Sequence, residues 1–415
     1  MSEGRANRNA AIALLCAALT LLVSCAAAPG ISPVSPAVVE LATLTPLPST
    51  SAPAAGSEPT ATKTAAPTAP PSAPGLILYE SFDESGPALW QVNGDGTDPR
   101  VVVPYDPPVH GFGMYPRWSP DEWHFSYLYH ETRDGVEWDS VWIAERDGSN
   151  AFRVAEPESS AASRWSDANT LVYQYARGGT PYTYTYHLDT GMMAEGGLIP
   201  EMPGFDRLSV TCSLGCSRVA ATKDGRALFI VDRRTGEARK VFEVGEQERA
   251  GSVYIYGWSS DGERLAFGHS HMPGDTYFSD LYTVGADGQD LRRLTSFEAE
   301  YEGPASPSGV GSVVWSPDGE WLAFNIAIAW QSYLGVIPAV GGPVRNLGCG
   351  PLKGVTNPVW SPDSTRLAFI CNQRFENGRF EPVDDQWDIY TVDIHTGEIQ
   401  RLTNDKVMEM HIAWR

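Results

Sequence analysis

The chain has 415 residues, 42% of them hydrophobic, with 30 Lys and Arg against 51 Asp and Glu for a formal net charge of −21. That balance argues against a nucleic-acid binder, which needs cations to neutralise phosphates, and against direct docking on anionic lipid. It suits a basic protein partner, a cation-requiring ligand or plain solubility, and solubility is the favoured reading.

Arg5 and Arg8 precede an apolar run, Ala10–Val23, that ends Leu22-Val23-Ser24-Cys25. The run reads as a secretory signal and is short for a membrane span. Leu22-Val23-Ser24-Cys25 resembles the bacterial lipobox. The resemblance implies that Cys25 is lipidated and becomes the first mature residue, anchoring the protein through several acyl chains. From 26 to 75 there are 11 Pro among 50 residues, with Ala, Ser and Thr making up most of the rest and only Glu40, Glu58 and Lys63 charged. Such a segment buries too little apolar surface to fold and reads as a tether, reaching roughly 150 Å when extended.

From 76 onward the chain carries 27 Lys and Arg against 48 Asp and Glu, so the whole net charge of −21 sits there. This part is repetitive. W-S-S-D-G-E-R-L-A-F occupies Trp258–Phe267, W-S-P-D-G-E-W-L-A-F occupies Trp315–Phe324, and W-S-P-D-S-T-R-L-A-F occupies Trp360–Phe369. Looser copies begin at Trp118, Trp165 and Cys212, the last without the Trp, Asp and Gly. With Trp414 the anchors stand 47, 47, 46, 57, 45 and 54 residues apart. This period matches a four-stranded propeller blade of roughly 40–50 residues. Each unit predicts a first strand ending at the Trp, a tight Ser-Pro-Asp-Gly turn, and a second strand opening Leu-Ala-Phe. A third strand follows (Asp280–Val284, Asp388–Val392), then a fourth ending Arg-Leu-Thr. Leu76–Val103 reads as strands two to four of a blade without its first, and His411–Trp414 as a first strand with nothing after it. Pairing the two closes an all-β ring of seven blades and removes both sheet edges. The degenerate units at 165 and 212 leave six or eight open.

The repeated units, with D-I-Y-x-V-x-x-x-T-G-x-x-x-R-L-T after them, resemble the repeats of TolB-type β-propellers across about 76–415. The resemblance implies an extracytoplasmic propeller, in the periplasm or at the cell surface and related in shape to Trp-Asp repeat proteins. TolB's separate N-terminal α/β domain is not expected here, so its role in the Tol system does not carry over.

Of the six cysteines, Cys16 leaves with the signal and Cys25 is used by lipid. The other four allow three pairings, of which Cys212–Cys216 with Cys349–Cys371 is preferred. Asp121, Asp261, Asp318 and Asp363 are expected to accept backbone N–H bonds in their turns. Each repeat Trp is expected to pack between blades. Asn93–Asp98 lacks the spacing of a calcium loop.

Candidate binding residues lie in insertions on one face, at His130–Ser140, His269–Asp280, Thr295–Ser312 and Cys371–Asp388. They are Trp138, His269, His271, Tyr277, Tyr301, Glu302, Phe375 and Trp387. His269 and His271 are read as exposed, solvated loop residues rather than metal ligands. Alternation along the strand allows Arg117 and Arg164, each just before its blade Trp, to point into the central channel, with the phase left open. No metal or cofactor is expected. Prolyl-oligopeptidase-like peptidases carry similar propellers, but the nearest approach to G-x-S-x-G is Gly268–Met272, and a ring closing at Trp414 leaves no room for a hydrolase domain. The expected function is therefore a monomeric, non-catalytic binding or scaffold module for a protein or cell-envelope polymer. The alternative is a hydrolase or lyase acting on a glycan or peptide, for which Asp206, Glu302 and Asp385 are the candidate carboxylates.

Overall fold

The structure is a computed structural model and describes residues 75–415 except 84–85, 105–113, 134–135, 155–160, 178–179, 196–205, 207–209, 214–216, 249–250, 273–275, 298–307, 329–330, 349–355, 372, 377–378, 383–386 and 405–407. Cys25, Cys216, Cys349, Tyr301, Glu302 and Asp385, and the signal and tether, lie outside the described residues. So do the side chains of Cys212 and Phe375.

Among the described residues the strands form seven four-stranded blades, as the anchor spacing predicts. Blade 1 combines β1 (Leu76–Asp83), β2 (Gly86–Asn93) and β3 (Arg100–Val103) with β30 (Met408–Trp414), in the order β3-β2-β1-β30. Blade 2 is β4 (Arg117–Trp118), β5 (His124–Arg133), β6 (Val136–Glu145) and β7 (Phe152–Arg153). Blade 3 is β8 (Ala161–Asp167), β9 (Thr170–Arg177), β10 (Thr180–His187) and β11 (Met192–Glu195). Blade 4 is β12 (Val210–Cys212), β13 (Arg218–Lys223), β14 (Ala227–Asp232) and β15 (Ala238–Glu243). Blade 5 is β16 (Ser252–Trp258), β17 (Arg264–His271), β18 (Phe278–Gly285) and β19 (Arg292–Arg293). Blade 6 is β20 (Ser308–Trp315), β21 (Trp321–Ile328), β22 (Gln331–Pro338) and β23 (Arg345–Gly348). Blade 7 is β24 (Thr356–Trp360), β25 (Arg366–Cys371), β28 (Asp388–Asp393) and β29 (Ile399–Arg401), with an added hairpin of β26 (Gln373–Glu376) and β27 (Arg379–Pro382).

The repeated Leu-Ala-Phe makes sense in this arrangement. Side chains alternate across a strand, and both faces of a blade are covered by neighbours. In β25, Leu367, Phe369 and Cys371 pack with Leu334 and Val336 of blade 6. Ala368 and Ile370, between them, pack with Ile77, Val92 and Trp414 of blade 1. The core is thus a set of wedges between blades. Cys371 is fully buried and disulfide-bonded.

The anchor tryptophans do more than pack. Indole Nε1 donates to a carbonyl on the inner strand of the preceding blade: Trp165 to Arg117 (3.1 Å), Trp258 to Thr211 (3.4 Å), Trp315 to Gly257 (3.1 Å) and Trp360 to Val314 (3.2 Å). Each acceptor is the residue just before its own blade's anchor, so the links run around the ring at one level.

The turn carboxylates are structural, as expected, and a buried serine organises each turn. Ser119, Ser259, Ser316 and Ser361 donate Oγ to Asp121, Asp261, Asp318 and Asp363 at 2.6, 2.6, 2.5 and 2.6 Å. The same oxygens accept the N–H of His124, Arg264, Trp321 and Arg366 at 3.0, 2.9, 2.9 and 2.9 Å. Ser213 keeps this role in blade 4, accepting from Arg218 N at 3.1 Å, although that blade lacks the Trp, Asp and Gly.

Ring closure rests on buried carboxylates as well as on strand pairing. In blade 1, β30 runs antiparallel to β1 with Ile77 opposite Trp414 and Phe82 opposite Met408. Fully buried Glu80 faces His411 Nδ1 at 2.7 Å and accepts Met114 N at 3.0 Å, towards blade 2. Glu409 reaches the other way, accepting Thr403 Oγ1 at 2.5 Å and Ile389 N at 2.9 Å from blade 7. The closing strand is therefore pinned to both neighbours.

Two of the insertions read as long loops, His130–Ser140 and Cys371–Asp388, are largely strand where they are described. His130–Ser140 is the end of a hairpin of 10-residue strands, β5 and β6, with Trp138 opposite Glu131. The Cys371–Asp388 insertion holds the β26–β27 hairpin with Phe375 opposite Phe380. Cross-strand hydrogen bonds satisfy the extra backbone, lengthening blade 2 at β5–β6 and forming a separate two-stranded sheet at β26–β27.

Candidate functional site

The richest set of unabsorbed polar chemistry lies in blade 5, at the end away from the Ser-Asp turns. β16 brings Ser252, Tyr254 and Tyr256 to this end, β17 brings His269, Ser270 and His271, and Tyr277, just before β18, and Ser279 within it lie alongside. Strand pairing sets Tyr254 opposite Gly268 and Ser252 opposite Ser270. A Cβ on Gly268 would stand 2.7 Å from the Tyr256 hydroxyl, so the glycine makes room for that ring. Ser252 Oγ donates to Tyr254 OH at 2.8 Å and lies 2.7 Å from Ser270 Oγ, while Tyr256 OH donates to Val310 O at 2.9 Å. Tyr254 is 42% exposed although it belongs to an innermost strand. Burial, with Tyr254 adding to it, pushes the Tyr277 hydroxyl up to about 12. The Tyr277 hydroxyl therefore stays neutral near pH 7. The tyrosines offer aromatic faces with hydroxyl tips, suited to apolar contact with directed hydrogen bonds.

His269 departs from the exposed-loop reading. β17 continues past Phe267, so His269 sits within the strand and is 7% exposed, packed against Phe242 with ring centroids 5.0 Å apart. Its Nε2 lies 2.8 Å from Glu248 Oε2, and the His271 ring stacks on it at 5.4 Å. Burial holds the imidazole below its ordinary pKa, outweighing the attraction of Glu248. Among the described residues no group of three or more His, Cys, Asp or Glu comes together as a metal site would require.

The other candidates fall elsewhere. Trp138 is half-buried in the β5–β6 hairpin. Trp387 is half-buried and packs onto the core between blades 1 and 7, with a backbone bridge to Met408. Asp206 is taken up by a hairpin turn of blade 4, accepting Thr222 Oγ1 at 2.7 Å, Gly225 N at 2.8 Å and Asp224 N at 3.1 Å. Burial raises its pKa, but the three donors together hold it below the usual carboxylate range. The Asp-x-Tyr and Arg-Leu-Thr motifs also consume each other. Fully buried Asp280 accepts Arg293 Nη2 at 2.6 Å, Thr295 Oγ1 at 2.9 Å and Phe297 N at 3.0 Å, and Asp388 accepts Arg401 Nη2 at 2.5 Å.

Sequence reasoning missed Tyr254, Tyr256 and the serines around them. Tyr254 and Tyr256 stand two apart in Ser252–Trp258, but a β-bulge at Ile255–Gly257 breaks the alternation, so that Tyr254 is exposed while Tyr256 packs on the core between blades 5 and 6.

No protein-family model matches the chain, and no curated protein does. Solved structures do. A prolyl endopeptidase aligns over 83% of this chain and 50% of its own at 12% identity, with a TM-score of 0.55. The β-propeller domain of the Trilobed protease from Pyrococcus furiosus, reported to have an open velcro topology, aligns over 79% of this chain and 94% of its own at 13% identity and a TM-score of 0.52. TolB from Acinetobacter baumannii aligns over 82% of both chains at 13% identity and a TM-score of 0.45. At these identities the likeness is one of fold, a β-propeller. The chain spans half the length of the prolyl endopeptidase it matches.

Proposed function

We propose that the chain is an exported lipoprotein, anchored through Cys25, whose propeller is a non-catalytic binding or scaffold module for a protein or cell-envelope polymer. The observation that carries this reading is the blade 5 cluster, where exposed Tyr254 stands with Tyr277 and the hydroxyls of Ser252 and Ser270 at the hairpin end of the channel. Rigid aromatic residues with polar tips give contact area at small entropic cost. Of the three acids that the enzyme reading would use, Asp206 is the one described, and it is engaged in a turn of blade 4.

The test is capture from envelope extract on immobilised full chain, compared with a Tyr254→Ala/Tyr277→Ala variant. Loss of partner capture with unchanged melting supports the reading. Turnover of a glycan or peptide by the purified protein, abolished by Asp206→Asn, Glu302→Gln or Asp385→Asn, would establish the enzyme alternative instead. The anchor is tested separately. Cys25→Ser should end fatty-acid labelling and release the protein from membranes.

A further inference from the structure

Two arginines on innermost strands of the ring meet no counter-charge among the described residues. Arg117 in β4 and Arg164 in β8 occupy the same repeat position, just before the anchor Trp, on neighbouring innermost strands. The bond from Trp165 Nε1 to Arg117 O ties those strands together at 3.1 Å. Both residues lie near the Ser-Pro-Asp turns, at the opposite end of the channel from the Tyr254 cluster. Arg117 is exposed although its strand is innermost, so the solvent it meets is that of the channel or its mouth. Arg164 is half-buried, and its Nη2 is fully buried without a hydrogen-bond partner.

The surroundings sharpen the point. The equivalent positions in the other blades are Thr211, Gly257, Val314, Val359 and Ala413, none of them charged. Glu80, the buried acid of the adjoining blade 1, is occupied by His411 and Met114 N. Burial lowers the pKa of the Arg164 guanidinium, and no charge among the described residues acts against it. In a chain with 51 acidic residues against 30 basic ones, two arginines on neighbouring innermost strands, meeting no carboxylate among the described residues, make a local positive site in a negative molecule. Low-dielectric walls concentrate such a field, and the planar fork of Arg matches the oxygens of carboxylate and phosphate.

We propose that Arg117 and Arg164 form an anion-binding site at the turn-side mouth of the central channel, taking a carboxylate or phosphate group. The two arginines grip the anion from adjacent walls, while Thr211 next along the ring offers a hydroxyl. The site is separate from the Tyr254 cluster and does not depend on that cluster's role.

Calorimetric titration of the purified full chain with sodium phosphate and, separately, with sodium succinate tests the assignment. At least one anion should bind, and Arg117→Gln/Arg164→Gln should weaken it by about tenfold or more, with Arg117→Lys/Arg164→Lys in between because the charge stays and the fork is lost. Phosphate alone would identify a phosphoryl ligand; succinate alone, a carboxylate. The Gln variant should melt no lower than the parent, since it removes two unmatched charges, and bound anion should raise the melting point of the parent only. Failure of both anions to bind at tens of millimolar would overturn the proposal, as would binding undiminished in the Gln variant. Should the double variant not fold, the single Arg117→Gln change, at an exposed side chain, gives the same reading.

Discussion

Deleting Met408–Arg415 removes the strand that completes blade 1, and its cost can be worked from the structure. Ile412 and Trp414 are 2% and 5% exposed in the parent. Losing the burial of two such side chains costs about 1.5–3 kcal/mol each. Glu80 loses His411, at about 1.5–3 kcal/mol for a bond to a charged group. The main-chain groups of β1 that faced β30 lose their partners, at a net ~1 kcal/mol for each bond. The sum is on the order of 10 kcal/mol, comparable with the whole stability of a typical domain, about 5–15 kcal/mol. The truncated protein should therefore be unfolded or aggregated at room temperature, read by size-exclusion light scattering and urea unfolding. A synthetic peptide spanning Met408–Arg415, added in excess, should partly restore the fold by refilling the gap. A truncated chain that stays monomeric with an unchanged urea midpoint would refute the closure argument.

Trp315→Phe keeps an aromatic ring but loses the 3.1 Å bond to Gly257 O, so urea unfolding should show a loss of about 1 kcal/mol beyond the change in ring size. Trp118→Phe is the control: its buried Nε1 has no hydrogen-bond partner, and the same assay should show a smaller loss. The Ser259 hydroxyl and the Glu263 N–H hold Asp261 below its ordinary 3.8, and at Asp363 the Ser361 and Thr365 donors outweigh burial to do the same. Their stabilisation is present above the unfolded value and lost as pH falls through the lower folded values, so Asp261→Asn/Asp363→Asn should flatten the decline in stability below about pH 4. Peptide mapping under non-reducing conditions should recover Cys371 joined to Cys349, and Cys212 joined to Cys216; recovery of Cys371 as a free thiol would contradict the buried disulfide.

The blade plan was legible because its signals repeat. Trp, Ser and Leu-Ala-Phe return at each anchor, and the unmatched strands at Leu76–Val103 and His411–Trp414 could be paired by elimination. What sequence reading missed has no period. The hairpin extensions at Trp138 and Phe375 look like loops, since nothing in their composition distinguishes exposed strand from irregular chain. His269 reads as a loop residue only if β17 is stopped at Phe267; the strand runs four residues further and takes the imidazole inside. Glu80 and Glu409 are the plainest case. Acids at such positions suggest a solvent-facing side, whereas closure turns them inward against His411, Met114 N, Thr403 and Ile389 N. The candidate site was half visible: Tyr277, His269 and His271 stood out by their place in an insertion, but Tyr254 did not.

The seam in blade 1 also sets a timetable for synthesis. Glu80 and His411 are 331 residues apart in the chain, so at about 5–20 residues per second β1 waits roughly 15–65 s for the strand that covers it. Throughout that interval the nascent chain shows an open edge to other nascent chains, and blades 2 to 7 can stack without a fixed end to the arc. Assembly is thus committed only when the distant strand arrives. A stall just short of Met408 leaves a six-blade arc with three spare strands, a species prone to pairing with its own kind.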